Sequence, residues 1–217
     1  MYSPDDTIVA IATPAGRGGI GVVRVSGPGA RGMAAVISNH VDPLEPRRAT
    51  LTTLLAGGQA VDRAVLTFFP GPHSYTGEDV LEISAHGSPV LLRAVVEASM
   101  DAGARLAEPG EFTFRAYLRG RMDLVQAEAV KDLVDAVTPL QARAAFDQLE
   151  GTLTLRIAAI DAALFDMSAR LEASLDFPDE GYHFVDPSRA AGEIETLVSS
   201  IDELLVDANR GRLVREG

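Results

Sequence analysis

Two charged side chains stand where strands normally carry apolar ones: Arg24 between Val23 and Val25, and Glu82 between Leu81 and Ile83. A charge in a strand has to be satisfied. Either the two lie on an exposed sheet face, where an ion pair contributes little and needs no function, or they line a pocket. In a pocket, Glu82 would accept hydrogen bonds from the amino and ring N–H groups of a heterocycle while arginines engage acid or carbonyl groups. A pterin-like ring offers such a donor edge. His86 shares the strand face of Glu82 by the two-residue period, and is either a structural hydrogen-bonder or part of that site. A fourth feature is the loop Gly16, Arg17, Gly18, Gly19. With Gly21 it satisfies G-x-G-x-x-G, but it opens a strand, Val22 to Val25, cut short by Gly27-Pro28-Gly29. The dinucleotide fingerprint works only when the loop opens a helix whose amides face a pyrophosphate. The loop is therefore a glycine-rich β-β turn with Arg17 at its tip, needing positive φ at one or two positions or letting backbone and arginine approach a ligand.

The elements that must position these residues can be read from period and punctuation. Short β-branched runs at 7–13 and 21–26 predict two strands, and a helix follows from Ala30 to Ser38. Leu51 to Leu55 and Val61 to Phe69, joined by Gly57-Gly58, predict a hairpin. Residues 79–86 alternate as a half-buried strand. Ser88-Pro89 starts a helix running to Asp101 and stopped at Gly103, a strand covers 104–107, and a helix covers 111–118, closed by Gly120. Strands that pair locally with helices inserted between them give an α+β fold rather than a repeated βαβ array. Beyond Gly120 the period is helical. Asp123 can cap a helix, and Thr138-Pro139-Leu140-Gln141 is a capping box. Leu153, Ile157, Ile160, Leu164, Met167, Leu171 and Leu175 form one apolar stripe, which is expected to be core. Phe177 to Gly181 breaks it and Asp186-Pro187 restarts a helix. Two or three antiparallel helices are expected, burying their stripes against further helices from another segment or subunit.

Composition limits the function. The 217 residues are 47% apolar, enough for one large or two smaller folded domains. The net charge is −12, most of it carried by residues 121–217, which argues against tight nucleic-acid binding by this chain alone. No apolar run spans a bilayer and the acidic start is unlike a signal peptide, so a soluble, cytoplasmic protein with no membrane contact is expected. The absence of cysteine removes disulfides, thiolate nucleophiles and thiolate metal sites. The only lysine, Lys131, follows Val130, so no Walker A loop exists in these residues.

Taken in order, DTIVA (6–10), TPAGRGGIGVVRVS (13–26), PGPHSYTGEDVLE (70–82), AHG (85–87), PGEFTFRAYL (109–118), MDLVQAEA (122–129), DFPDE (176–180) and LVREG (213–217) resemble the MnmE family, also called TrmE, along the whole chain. The resemblance implies an N-terminal domain, 1–120, similar to the tetrahydrofolate-binding domain of the glycine-cleavage T-protein, through which two subunits form a homodimer. It implies that 121–217 are the first half of a helical domain, an incomplete bundle. Arg24, Glu82 and Arg121 correspond to the family's folate-contacting residues, with Gly16, Arg17, Gly18, Gly19 and His86 as further candidates. Some relatives carry lysine where Arg121 stands, which exchanges a point charge for a planar fork. The implied ligand is 5-formyl- or 5,10-methylene-tetrahydrofolate. In the family the intact protein pairs with the flavoprotein MnmG (GidA) and modifies the wobble uridine of tRNA, with tRNA held only as part of that complex. GTP, with Mg and K, belongs to the full-length protein. The GTPase domain, the second helical half and a terminal cysteine motif are expected outside these residues, so the chain should be inactive alone. A different class of function, a dimerising and partner-recruiting scaffold with no bound folate, is the alternative.

Overall fold

The computed structural model describes residues 6–176 and 186–216, and the expected break at Phe177 to Gly181 lies outside them. The chain divides into two units, Met1–Asp123 and Leu124–Gly217.

The first unit is built on one six-stranded sheet of order β3-β4-β5-β2-β1-β6. Its strands are β1 (Ile8–Ile11), β2 (Gly18–Ser26), β3 (Thr50–Ala56), β4 (Gln59–Phe69), β5 (Val80–Gly87) and β6 (Arg105–Leu106), interleaved with helices α1 (Ala30–Ile37), α2 (Pro89–Asp101) and α3 (Glu111–Leu118). Only the β1–β6 pair is parallel; the others are antiparallel. This is the expected α+β arrangement. The hairpin turns on Gly57 and Gly58, both at positive φ, as a two-residue primed turn requires. β2 begins at Gly18, earlier than its apolar run suggests, because the glycines themselves pair with β5: Gly18 lies opposite Gly87 and Gly21 opposite Ala85, with an irregularity between them.

Alternation sorts each strand into two faces. Val9, Val23, Val25, Leu66, Phe68, Leu81 and Ile83 are buried against Met33, Ala34 and Ile37 of α1 and Leu92, Val95 and Val96 of α2. Each fully buried aliphatic side chain of this kind contributes about 1.5–3 kcal/mol. A Cβ on Gly21 would lie 2.5 Å from a Leu92 methyl, so glycine there is what lets α2 seat on β2. The other face, free of α1 and α2, carries Arg24, Glu82, Ser84 and His86.

At the Ser26 end of that second face, residues 74–78 and α3 close over the sheet on a buried ionic cluster. Arg115, 1% exposed, donates from Nη1 to Glu78 Oε2 at 3.2 Å and from Nη2 to Glu111 Oε1 at 3.0 Å, and reaches Asp6. Glu78 also takes Arg119 at 2.7 Å and the Ser26 hydroxyl at 2.7 Å, while Glu111 takes Arg105 at 2.7 Å. Three cations and three carboxylates thus neutralise one another where single charges would be prohibitively desolvated.

In the second unit the capping box is present: Gln141 N–H donates to Thr138 Oγ1 at 3.2 Å and Thr138 N–H to Gln141 Oε1 at 3.1 Å. Four helices are described there rather than two or three: α4 (Leu124–Asp135), α5 (Pro139–Leu149), α6 (Thr152–Asp176) and α7 (Pro187–Glu216). Each start signal opens its own helix, with Gly151 at φ 80° separating α5 from α6. Arg156 pairs with Asp207, and Arg170 with Glu193, so α6 and α7 run antiparallel. The stripe expected to be core is only partly covered. Met167 is buried, but Ile157, Leu164, Leu171 and Leu175 of α6, and Ile194, Val198 and Leu205 of α7, are exposed. α6 and α7 pack on each other and on the shorter α5, too few neighbours to bury a full stripe each.

Candidate functional site

Arg24 and Glu82 are register partners on the adjacent strands β2 and β5. Antiparallel pairing puts opposed side chains on the same face within reach of one another, and here they bond. Arg24 Nη2 and Nε both donate to Glu82 Oε1, at 2.7 and 3.0 Å. Both side chains are half-buried, 24% and 29% exposed. Because the two bonds converge on one oxygen, Glu82 Oε2 accepts nothing among the described residues, and Arg24 Nη1 makes no hydrogen bond there. Glu82 therefore keeps a free acceptor, and Arg24 a free donor on the side of its guanidinium turned away from Glu82.

Aromatic rings line this pair. The Arg24 guanidinium lies 4.9 Å from the centre of the Tyr75 ring and 5.8 Å from that of Phe112. Tyr75 belongs to the segment between β4 and β5, and its hydroxyl meets Thr113 Oγ1 of α3 at 2.8 Å. The segment is fixed on either side of Tyr75. Ser74 Oγ donates to the Glu78 carbonyl at 2.5 Å, and Glu78 is held by Arg115 and Arg119. Arg121 joins through the same segment, donating from Nε to the Ser74 carbonyl at 3.2 Å, and its terminal nitrogens remain without partners among the described residues. The buried cluster under α3 thus sets the position of the rings and of Arg121 around the Arg24–Glu82 pair.

The other residues singled out from the sequence gather elsewhere. His86 shares the face of Glu82, but four strand positions place it about 13 Å along β5. Its ring Nδ1 lies 2.7 Å from Asp62 Oδ1, and its backbone N–H donates to Asp62 Oδ2 at 2.9 Å. Burial raises the Asp62 carboxyl's pKa, but the hydrogen bonds from His86 and Arg63 outweigh it and hold that carboxyl below the ordinary carboxylate range. An ionised carboxylate only accepts, so the Nδ1 proton is fixed and Nε2 faces outward. The glycine loop lies beside this dyad. Gly18 pairs with Gly87, five positions from Glu82, roughly 17 Å along the strand. Arg17 is exposed at the loop tip. Gly16 alone in the loop needs positive φ (131°), while a Cβ on Gly16 or Gly19 would meet nothing within 4 Å.

Within one chain, then, Arg24, Glu82 and Arg121 form one group, and Gly16 to Gly19 with His86 form another. Sequence reasoning missed Tyr75, Phe112 and Asp62. Tyr75 and Phe112 stood inside the quoted motifs without a role. Asp62 stood at the start of an apolar run, where an acidic residue reads as part of the turn. Among the described residues no group of three or more His, Asp or Glu side chains could hold a metal ion, and no helix is long and apolar enough to cross a membrane.

Two family models match. Residues 7–121 match the GTP-binding protein TrmE N-terminus, and residues 124–217 match the MnmE helical domain. Curated proteins named tRNA modification GTPase MnmE are similar throughout. That of Legionella pneumophila (strain Corby) is 44% identical over 213 residues, covering 98% of this chain and 48% of the relative. Those of Azoarcus sp. (strain BH72) and Koribacter versatilis (strain Ellin345) are 46% and 45% identical, covering 99% and 98% of this chain and 47% and 48% of theirs. The chain spans about half the length of these relatives.

Proposed function

We propose that this chain, which belongs to the MnmE (TrmE) family of tRNA-modification GTPases, is the folate-binding and homodimerising part of such an enzyme, with the Arg24–Glu82 pair as its pterin-contacting site. The observation that carries the reading is the unspent Glu82 Oε2 on a half-buried carboxylate whose partner Arg24 lies against Tyr75 and Phe112. A reduced pterin presents amino and ring N–H donors to the carboxylate, and its flat ring suits an aromatic border. Arg121, with its terminal nitrogens free, suits an acidic or carbonyl group farther along the ligand. A tetrahydrofolate supplies a one-carbon unit when bound. This chain's residues bind it, orient it and limit water around it.

The wider activity is proposed with it: modification of the tRNA wobble uridine together with MnmG, installing an aminomethyl or carboxymethylaminomethyl group, with GTP, Mg and K used by parts of the enzyme outside these residues. Dimerisation through the first unit is in keeping with Ile20 and Leu51, which its strands leave exposed. The acidity of 121–217 favours a basic partner surface over direct hold on tRNA.

Calorimetry with 5-formyl-tetrahydrofolate tests the site. Glu82→Ala removes a charged acceptor, so its affinity should fall by about 1.5–3 kcal/mol, roughly 10- to 150-fold. No binding to the unaltered chain, or equal binding by Glu82→Ala, refutes the reading and leaves the scaffold alternative.

A further inference from the structure

Left-handed backbone strains any residue that carries a side chain, and at nine described positions the chain meets it with glycine. Arg47, at φ 60°, is the one other residue found there among the described residues. It is exposed, so packing does not explain the choice. Its surroundings hold it from both ends. The Arg47 N–H donates to the Phe68 carbonyl at 2.7 Å, beside β4 and just ahead of β3. The side chain passes the Phe69 ring, 5.8 Å from its centre, and donates from Nη2 to the His73 carbonyl. Nε and Nη1 bond to nothing, and no carboxylate pairs with this cation, among the described residues. In a chain of net charge −12, an arginine held in strained backbone and answered only by a neutral carbonyl is placed for an anion from outside.

Arg31 of α1 flanks the same loop. Its Nε donates to Asp79 Oδ2 at 3.1 Å, and Asp79 Oδ1 takes the Gly71 N–H at 3.0 Å. The Arg31 side chain is 68% exposed, and its Nη1 and Nη2 have no partner among the described residues. Arg121 takes the carbonyl of Ser74, the residue after His73. Arg47 and Arg121 are therefore anchored on consecutive residues, about 3.8 Å apart at their Cα atoms.

We propose that Arg47, with Arg31, contacts the phosphate backbone of an RNA strand passing over residues 70–73. The forked donors of arginine suit phosphate oxygens, and such contacts position a strand without reading its sequence. The contact also has a use. Arg121 borders the folate site, so a strand held by Arg47 one residue away runs past the one-carbon donor, as modification of a tRNA base requires. That adjacency rests on the folate reading above; the phosphate contact itself does not. The acidity of residues 121–217 repels RNA, so Arg47 and Arg31 guide the strand instead of supplying tight hold.

Salt dependence is the test, because each phosphate contact adds a fixed increment to it. The full chain is titrated into a fluorescently labelled, unmodified tRNA, read by anisotropy from about 20 to 200 mM KCl. Arg47→Gly removes the charge and relaxes the backbone, so its urea midpoint should stay close to the parent's. Its plot of log affinity against log salt should be shallower by about 0.7–0.9, which is about a 10-fold loss at about 50 mM KCl. Arg47→Asn, which also tolerates left-handed backbone, should do the same. Arg47→Lys keeps a point charge and should keep most of the slope. Arg31→Gln should lose a similar share, whereas Arg93→Ala, at an exposed arginine of α2, should bind tRNA within about twofold of the parent. Arg47→Gly should bind 5-formyl-tetrahydrofolate as the parent does. No tRNA binding by the parent at the lowest salt, an unchanged slope in both Arg47→Gly and Arg47→Asn, or an equal loss in Arg93→Ala overturns the inference and leaves folate binding standing. A fall in folate affinity in Arg47→Gly also overturns it, by making Arg47 part of the folate site. A parent that binds tRNA with the expected slopes but no folate overturns the folate reading alone.

Discussion

Replacing Arg115 with methionine tests whether the buried ionic cluster supports the site. Methionine fills much of the same space without charge, so the loss is electrostatic. Glu78 and Glu111, 4% and 2% exposed at their side chains, would each lose a cation. Stranding a buried charge by removing its partner costs about 3–5 kcal/mol. Here each carboxylate keeps other support: Glu78 retains Arg119 and the Ser26 hydroxyl, and Glu111 retains Arg105 and the Glu108 backbone N–H. The lower end of the range therefore applies, about 3 kcal/mol, or roughly a 150-fold rise in the opened population. Native-state amide exchange suits the measurement, because it reads the β2 and β5 amides separately from the helices of the second unit. The expected result is a loss of protection of that size in β2 and β5, with α5 and α6 unchanged. Protection of β2 and β5 within twofold of the parent's would refute the reasoning, since it would mean that the cluster carries no net stability.

Two further outcomes follow from the same unit. Gly21→Ala places a Cβ 2.5 Å from Leu92 and should cost about 1–3 kcal/mol in urea unfolding, whereas Gly19→Ala, with nothing within 4 Å, should stay within about 0.5 kcal/mol. The first unit should also be acid-labile. Hydrogen bonds from Arg105, opposed by burial and helped by Arg115, hold Asp6 below the ordinary carboxylate range. Glu111 is likewise lowered although burial pushes it up, because Arg105, the Glu108 N–H and Arg115 outweigh that cost. A carboxyl depressed by folding contributes stability that is present above its unfolded pKa and is lost as pH falls through the folded one. Protection of β1 and β2 amides should hold down to about pH 5 and decline below about pH 4. A flat profile to pH 3 would contradict this.

Much of the fold was legible because local chemistry and tertiary structure agree. The Gly57-Gly58 turn, the Ser88-Pro89 start, the Gly103 stop and the Thr138 to Gln141 box each specify their element from a few neighbouring residues. Arg24 and Glu82 were legible as strand charges, yet 58 positions separate them, and only the β2–β5 register shows that each satisfies the other. Tyr75, Phe112 and Arg115 were not legible, because their roles come from a loop and a short helix folded over the sheet, with no periodic signal. His86 shows the limit of face arguments: the two-residue period placed it beside Glu82 in facing, but strand rise sets it about 13 Å away with Asp62 as its partner. The α6 stripe was legible as apolar, but its degree of cover depends on how many helices surround it, which periodicity does not count.

A crystal structure of this chain with 5-formyl-tetrahydrofolate tests the account most directly. The account predicts the pterin's N–H edge on Glu82 Oε2, with the Arg24–Glu82 bond kept and Tyr75 still against the guanidinium. A ligand bound elsewhere, with the pair left facing solvent, would contradict it.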